Sequence, residues 1–374
     1  MTLCRFGGVS ALLVATGLLS TGFSAGAATT NYVGLIYSGR SNASAESGSF
    51  TLSVSPNRNF SGRISIARTH AGFSGRFNTN GAADVVATTS VDDSCYSCDP
   101  PIIDIETKGI WDVYFQLSPS QDSISGGLHI RSGGFPDGTV YGKRSSFGPT
   151  HKVPSAGNFT FVLAGSGDPA DTTFPTGNGG GTITIGSSGT VTVGGSLADR
   201  STFAPGTLLC DDGTFPAFVS LYDGIGMIQG WVGLTNSPIA DLSGEVVWAR
   251  PARLLFYPAG FTNEVALAGS RYVKTSPLLD WTNGVVIFQG GNLSAPFTND
   301  IRLKANGTVA NLSSNKLSLT IQPKSGQFSG TAKEPLTGRS IPFSGVLVQK
   351  QRGGVGYFPV APLSGEVLLG PAAP

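Results

Sequence analysis

Apolar and polar residues alternate one by one through most of the chain after residue 30. Phe50, Leu52 and Val54, for example, are separated by Thr51 and Ser53. The same alternation recurs at Ile64 and Ile66, at Val113, Phe115 and Leu117, at Ile183 and Ile185, at Val191 and Val193, and at Leu317, Leu319 and Ile321. A period of two is typical of strands with one face in a core and the other in solvent. The pattern therefore predicts an all-β protein.

Turn residues separate these predicted strands. Pairs that end in glycine occur at Asn80-Gly81, Asp137-Gly138, Ser188-Gly189, Asp212-Gly213, Asp223-Gly224, Asn283-Gly284 and Asn306-Gly307. Such pairs supply the positive φ angles that tight hairpins need. No window after the first thirty residues has a helical period with caps, so we expect antiparallel meanders.

A three-residue motif, a large apolar residue followed by Ser and Gly, recurs along the chain, and we call it the repeated figure. Its glycines are Gly62, Gly75, Gly126, Gly244, Gly330, Gly345 and Gly365. Segments 50–64 and 317–332 align around it with one inserted residue, and a degenerate copy at 181–198 has Val193-Gly194-Gly195 in its place. We interpret the figure as structural: the large residue fills an interior, and the glycine lets a strand bend as its sheet closes.

Similar segments also begin and end in alternation. One set of segments with similar sequences starts at Asn31, Gly157 and Thr262. A second set of similar segments ends at Arg131, Arg250 and Gly370. We therefore predict three modules, 29–152, 153–252 and 253–370. Each would be barrel-like, because a meander of short strands closes to protect its edges; β-sandwiches are the alternative.

Residues 1–28 have the layout of a secretory signal peptide. A single base, Arg5, precedes an apolar stretch from Ala11 to Leu19, and small residues follow it up to Ala28. The stretch is too short for a membrane span, and no later run is apolar enough for one. We expect an exported protein, secreted or periplasmic, without a transmembrane helix.

Several longer phrases are similar to known sequences. They include "YVGLIYSG" from Tyr32 to Gly39, "FVSLYDGIGMIQGWVGL" from Phe218 and "YPAGFTNEVALAGSRY" from Tyr257. Across residues 31–370 the chain resembles the β-rich repeat regions of large secreted and surface proteins of environmental Gram-negative bacteria, which often lie beside immunoglobulin-like repeats. The resemblance implies export and β architecture but no activity. A fainter likeness is to the small β-barrels of bacterial surface receptor lipoproteins.

The charge of the chain is low and balanced. Lys and Arg total 24, Asp and Glu total 23, and charged residues make up 13% of the sequence. A chain with so little net charge has no electrostatic footprint for nucleic acid or an anionic membrane. Partners of other kinds, a glycan or another surface protein, stay open.

Cys95 and Cys98 form a CxxC pair. In an exported protein such a pair favours a local disulfide over a zinc or redox site, because no second CxxC and no βαβ setting accompany it. Cys210 is then either a free thiol or the partner of one of the pair.

Acidic loops offer a candidate calcium site, and we predict no other cofactor. Asp92, Asp93, Asp99 and Asp104 surround the CxxC pair, and Asp168 and Asp171 open a glycine-rich loop. We interpret them as solvated loop acids, with structural Ca²⁺ as the alternative.

No coherent catalytic set stands out. His70, His129 and His151 are scattered, and no GxSxG motif occurs. Gly224-Ile225-Gly226 precedes a predicted strand and not a helix, so it reads as a hairpin turn. The candidate carboxylates of a glycosidase are Glu46, Glu106, Glu245, Glu264, Glu334 and Glu366, of which Glu245 and Glu366 occupy equivalent repeat positions.

Aromatic residues suggest a binding surface or a core. Those considered are Tyr96, Trp111, Tyr141, Tyr222, Trp231, Trp248, Tyr257, Trp281 and Tyr357. We interpret them as filling barrel interiors and rims, with stacking on sugars as the alternative.

The sequence thus predicts an exported, non-enzymatic β-repeat protein with a structural, adhesive or ligand-binding role at the cell exterior. A polysaccharide-binding or polysaccharide-cleaving protein is the second interpretation. An outer-membrane β-barrel is the third, since alternating strands also suit a lipid-facing wall.

Overall fold

A computed structural model describes the chain in four stretches, 29–39, 47–91, 107–131 and 138–372. These residues form antiparallel strands joined by turns and two short 3-10 turns, which confirms the all-β prediction. The alternation is real: Phe50, Leu52 and Val54 are buried while Thr51 is exposed. Among the described residues no helix is long or apolar enough to cross a membrane.

The first barrel contains eight strands: β1 (Thr30–Tyr37), β2 (Gly48–Val54), β3 (Asn59–Ile66), β4 (Thr69–Arg76), β5 (Ala82–Val91), β6 (Thr107–Leu117), β7 (Ser123–Ile130) and β8 (Gly138–Ser145). Apart from β4 and β5, strands that are neighbours in sequence pair with each other, and the first strand pairs with the last from Asn31 opposite Ser145 to Tyr37 opposite Thr139. The sheet therefore curls into a ring that is open only between β4 and β5.

The second barrel contains nine strands: β9 (Gly157–Leu163), β10 (Gly179–Ile185), β11 (Thr190–Ser196), β12 (Thr202–Phe203), β13 (Gly206–Leu208), β14 (Thr214–Leu221), β15 (Gly226–Leu234), β16 (Leu242–Arg250) and β17 (Phe261–Arg271). Its first strand, β9, again pairs with its last, β17. The short strands β12 and β13 both pair with β11, and the ring is open between them and β14.

The third barrel contains eight strands: β18 (Asn283–Gly290), β19 (Phe297–Leu303), β20 (Val309–Asn311), β21 (Leu317–Ile321), β22 (Gln327–Lys333), β23 (Ser340–Val348), β24 (Gly353–Val360) and β25 (Leu363–Pro371). Here β18 pairs with β25. One bridge, Thr308 to Thr320, spans the gap between β20 and β21. Each barrel has its own buried hydrophobic core.

The sheets divide the chain differently from the predicted second boundary. The boundary predicted between residues 152 and 153 falls between β8 and β9, but the one between 252 and 253 falls inside the second sheet. Strand β17, placed by the sequence at the start of the third module, pairs with β16 and β9. The second sheet therefore extends to Arg271, because β17 is the strand that closes its ring.

The repeated apolar-Ser-Gly figure makes reciprocal pairs across neighbouring strands. In β3 and β4, Phe60 lies opposite Gly75 and Phe73 opposite Gly62. A Cβ atom on Gly75 would lie 2.7 Å from the Phe60 ring, and one on Gly62 would lie 2.5 Å from the Phe73 ring. The glycines thus provide the space in which the opposite ring lies inside the barrel.

The third barrel repeats this arrangement in β22 and β23, where Phe328 faces Gly345 and Phe343 faces Gly330. None of the seven repeat glycines has a positive φ. Their role is steric. A missing side chain leaves room for an aromatic ring at Gly62, Gly75, Gly330, Gly345 and Gly365, whereas at Gly126 and Gly244 it lets the backbone of the neighbouring strand approach closely. Positive φ occurs instead at turn glycines such as Gly81 and Gly189.

Candidate functional site

The candidate site lies at the opening of the second barrel, which we call the seam. Strand β14 forms one side of the seam and pairs only with β15. Strands β12 and β13 form the other side and pair only with β11. The seam thus presents two edges without a strand between them, next to β1 and β2 of the first barrel.

An apolar cavity of about 70 Å³ lies behind the seam. Its inner wall consists of the side chains that the strands of the second barrel point inward, namely Phe161, Leu163, Ile183, Val193, Phe203, Phe215, Ile228, Val232, Val246 and Leu267. Apart from backbone atoms, the polar groups of the lining are the hydroxyls of Ser49, Thr51 and Thr207. No titratable side chain lines the cavity.

The cavity arises where the repeated figure is degenerate. Val193 occupies the position that Phe60 and Phe328 hold in the aligned copies, and it lines the cavity. A Cβ atom on Gly195 would lie 2.9 Å from the Phe203 ring and 3.0 Å from the Phe161 ring, so this glycine still makes room for aromatics. Because valine is much smaller than phenylalanine, the interior is left unfilled at this point.

The exposure of the inward side chains along β14 shows that the cavity is accessible from the seam. Phe215 and Leu221 are buried, but Ala217 and Val219, which face the same core between them, are only half-buried. Phe203 on the opposite edge is half-buried as well. A ligand could therefore reach the cavity between β14 and β13.

The first barrel covers one side of the seam and is firmly attached. The buried amide of Gln229 donates from Nε2 to the carbonyl oxygens of Ile36 at 2.8 Å and Gly48 at 3.1 Å. Trp231 Nε1 donates to the Tyr37 hydroxyl at 2.9 Å, and Lys143 Nζ contacts Asp212 Oδ2 at 2.7 Å. These contacts fix the position of Ser49 and Thr51 at the mouth of the cavity.

A buried polar network stabilises one rim of the second barrel, where β11, β14 and β16 end. Arg250 Nε lies 2.9 Å from Asp199 Oδ2, with side chains only 2% and 1% exposed. The Tyr222 hydroxyl donates to the same carboxylate at 2.6 Å and accepts from Trp248 Nε1 at 3.1 Å. Burial, followed by the Asp199 carboxylate, raises the pKa of Tyr222 well above its usual range, so the phenol stays a donor.

The predicted disulfide lies outside the described residues, as do Asp92, Asp93, Asp99, Asp104, Tyr96, Glu46 and Glu106. Within the described part of the chain Cys210 is a free, buried thiol. Burial, assisted by the nearby Asp212 carboxylate, raises the pKa of this thiol to about 12. A thiol of this kind is a poor nucleophile at neutral pH.

The described histidines do not converge, and among the described glutamates Glu245 and Glu264 are diagonal neighbours on β16 and β17, where both side chains are exposed to solvent. His70, His129 and His151 are exposed and lie on different strands and loops. Glu366 accepts from Asn178 at 2.7 Å and from Gln289 at 2.6 Å. Glu245 belongs to β16 of another barrel, which agrees with its interpretation as a repeat position.

Glu334 is unsuited to act as a general acid. Burial opposes its ionisation, but a hydrogen bond from the Thr337 hydroxyl, one from the Ser294 amide and the charge of Arg339 outweigh burial and lower its pKa. A glycosidase acid needs the opposite shift.

The candidate calcium residues of the second barrel form turn contacts. Asp171 Oδ1 accepts from the backbone amides of Thr173 and Phe174, and Asp168 Oδ1 accepts from the amide of Ala170. Across the stretches described, no three His, Cys, Asp or Glu residues are grouped as metal ligands.

The aromatic residues divide between core and surface. Trp111, Trp248, Tyr257 and Tyr357 are buried, whereas Tyr141 is exposed. Gly224-Ile225-Gly226 is a turn, because Tyr222–Gly224 is a 3-10 turn and β15 begins at Gly226. Sequence reasoning noticed the degenerate copy at Val193 but did not connect it to a cavity, although the missing phenylalanine was a usable signal.

No family model and no curated protein matches this chain. Among solved structures it is similar to intact Ap-TbpB, with N and C lobes, at 10% identity and a TM-score of 0.21, covering 91% of this chain and 76% of that one. It is also similar to a double mutant of the vaccine antigen transferrin binding protein B from Haemophilus parasuis Hp5, at 11% identity and a TM-score of 0.22, covering 91% and 75%.

A third similar structure is isotype 1 transferrin binding protein B from serogroup B Neisseria meningitidis, at 10% identity and a TM-score of 0.21, covering 91% of this chain and 75% of that one. Likeness at this level is too weak to transfer a function.

Proposed function

We propose that this chain is an exported, non-enzymatic binding protein that holds a small apolar group in the seam cavity of the second barrel. The observation that carries the proposal is the cavity itself, an accessible, apolar space inside the second barrel. Barrel interiors and barrel mouths are frequent ligand sites in β proteins.

The chemistry of the lining selects the ligand. A ring or alkyl group entering the cavity gains roughly 0.8 kcal/mol for each CH₂ removed from water. A polar or charged group gains nothing there, because the inner wall offers it no hydrogen-bond partner. The hydroxyls of Ser49, Thr51 and Thr207 at the mouth suit a ligand with one polar end.

The size of the cavity limits the group that is bound. Its volume of about 70 Å³ is several times the roughly 10–15 Å³ that a single water needs by the same kind of measure. The cavity is smaller than the roughly 150 Å³ of an engineered protein cavity that binds benzene, so it holds a short alkyl chain or one edge of a ring, while the rest of the ligand would lie outside, over β1 and β2.

The absence of titratable groups in the lining favours binding over catalysis. General acid-base or nucleophilic chemistry needs a proton carrier or a nucleophile within hydrogen-bond reach of the ligand. The predicted signal peptide and the low charge of the sequence support an exterior location.

Methyl NMR of the purified protein during titration with benzene tests this proposal. We expect saturable shifts for the methyl groups of Leu163, Ile183, Val193 and Leu267, while methyl groups in the cores of the first and third barrels stay unchanged. Val193→Phe restores the aromatic of the repeated figure and should abolish these shifts.

Ala156→Phe is the matched control, because Ala156 is half-buried against the same core but lies outside the cavity. This variant should bind like the parent protein. Benzene shifts spread evenly over all three cores, or unchanged binding by folded Val193→Phe, would contradict the proposal.

A further inference from the structure

A second depression, which we call the polar cleft, lies between the second and third barrels. It has a volume of about 190 Å³ and is bounded by β10 and β11 on one side and by β22, β23 and β24 on the other. Its lining is formed by Asn178, Gly180, Ser196, Gln322, Gln327, Phe328, Ser329, Ser344, Gly345, Val346 and Tyr357. It shares no lining residue with the seam cavity.

The floor of the polar cleft is a row of hydroxyl groups across three strands. Ser329 lies opposite Ser344, and Ser344 lies opposite Tyr357. Both serines belong to the repeated figure, whose apolar residues Phe328 and Phe343 point into the barrel. The alternation of the strands therefore turns these serines outward, toward the second barrel.

Direct bonds between the barrels hold the two walls in place. Asn178 donates from Nδ2 to Glu366 Oε1 at 2.7 Å, and its backbone amide donates to the Gly356 carbonyl at 3.1 Å. The buried Thr160 hydroxyl donates to the Leu347 carbonyl. The cleft is thus preorganised, and a ligand would not have to bring the barrels together.

Three polar side chains in the cleft have no side-chain hydrogen bond to the described protein. They are the amide of Gln327 and the hydroxyls of Ser329 and Ser344. Asn178, in contrast, uses both ends of its amide, since its Oδ1 accepts from the Gly165 amide at 3.0 Å. Burial raises the pKa of the Tyr357 phenol overall, although the nearby Ser196 side chain lowers it. The free groups are donors and acceptors at once.

The lining identifies the class of ligand by what it lacks. No charged side chain faces the cleft, so an ionic ligand would lose hydration without meeting an opposite charge. An apolar ligand would bury the Gln327 amide and the serine hydroxyls without partners. A neutral molecule rich in hydroxyl groups avoids both of these costs. We propose that the polar cleft is a binding site for a neutral saccharide.

Amide-proton NMR of the purified protein, titrated with maltose, cellobiose and lactose, tests this second site. We expect at least one of these neutral disaccharides to shift the Gln327 side-chain amide and the Gly180 and Gly345 backbone amides. Digalacturonate and the glucosamine dimer, which carry charge, should bind more weakly than that disaccharide.

Two variants locate the site, and one matched control separates binding from structure. Gln327→Ala and Ser344→Ala each remove one neutral partner and should weaken binding by about threefold to tenfold. Ser74→Ala is the control, since Ser74 has the same place in the repeated figure and faces Ser61 in β3 but lies in no cleft. It should bind like the parent protein.

The saccharide proposal is independent of the seam cavity. Val193→Phe, which fills that cavity, should leave saccharide shifts unchanged, so either proposal can fail alone. Absence of shifts with all three neutral disaccharides, equal binding of the charged ones, or an equal loss in Ser74→Ala would overturn the assignment of the polar cleft.

Discussion

The first and second barrels close in the same way, with the first strand paired to the last, yet their interiors differ. In the first barrel Phe60 and Phe73 each occupy the space left by a glycine on the opposite strand. In the second barrel Val193 stands at the corresponding place and a cavity lies beside it. The two interiors thus differ at one equivalent residue position, a phenylalanine in the first barrel and a valine beside the cavity in the second.

The two barrels also differ in where their charges lie. The Arg131–Asp112 pair of the first barrel is on the surface, with side chains 53% and 34% exposed. The Arg250–Asp199 pair of the second barrel is buried at its rim and shared with Tyr222. The second barrel thus combines a cavity in its interior with a buried, hydrogen-bonded ion pair at its rim.

The largest effect is expected when the buried pair is broken. Arg250→Leu leaves the Asp199 carboxylate buried without its cation and should lower the free energy of unfolding of the second barrel by about 3–5 kcal/mol. Hydrogen exchange resolved by peptide measures this loss in each barrel separately.

Arg131→Leu is the matched change in the first barrel. Because that pair is exposed to solvent, its loss should have little effect on the free energy of unfolding of the first barrel. Equal losses for the two variants would refute the contrast between the rims.

A smaller effect is expected when the first barrel is overpacked. Gly75→Val places side-chain atoms where the Phe60 ring and Val85 already lie, at a cost of about 1–3 kcal/mol. Unfolding in urea measures this loss of stability, and hydrogen exchange of the β3 and β4 amides locates it.

Gly72→Val is the control on the same strand. A Cβ atom there meets only one backbone oxygen, Gly62 O, at 4.0 Å, so the change should be nearly neutral. If Gly75→Val were equally neutral, the steric role of the repeat glycines would be wrong.

Filling the cavity of the second barrel should raise the free energy of unfolding instead of lowering it. Val193→Phe places a ring in the cavity and should stabilise that barrel by roughly 0.5–2 kcal/mol. Val191→Phe, two residues earlier on the same face but away from the cavity, should destabilise it by about 1–3 kcal/mol. Thermal unfolding of the two variants measures both changes in stability. Destabilisation by Val193→Phe would show that the cavity cannot accommodate the ring.

The smallest effect concerns Cys210, at the junction of the two barrels. Burial raises the pKa of its thiol to about 12, so the thiolate forms only far above neutral pH and alkylation should be very slow at pH 8. Iodoacetamide labelling, read by peptide mass spectrometry, should label Cys210 quickly only in denaturant. Rapid labelling of the native protein would show that the junction opens.

The alternation of residues such as Phe50, Thr51 and Leu52 was sufficient to predict the strands and their barrel-like closure. It was insufficient to place the end of the second barrel. The segment from Thr262 is similar to that from Gly157, yet β9 is the first strand of the second sheet and β17 is its last. Sequence likeness alone does not tell a first strand from a last one.

The two candidate sites were predictable to different degrees. The seam cavity left a trace in the sequence, the missing phenylalanine at Val193. The polar cleft left none that could be read locally, because Ser344 acquires its role only when β23 pairs with β24 and the second barrel packs above them. Packing between barrels depends on surfaces that lie far apart along the chain.

The pairing of first and last strands also decides how the chain passes through each barrel. Asn31, near the start of β1, lies opposite Ser145 at the end of β8, and Phe159 in β9 lies opposite Arg271 at the end of β17. The backbone thus enters and leaves at the same rim through adjacent strands. A unit with adjacent ends can be duplicated, inserted or deleted within a gene without rethreading its neighbours.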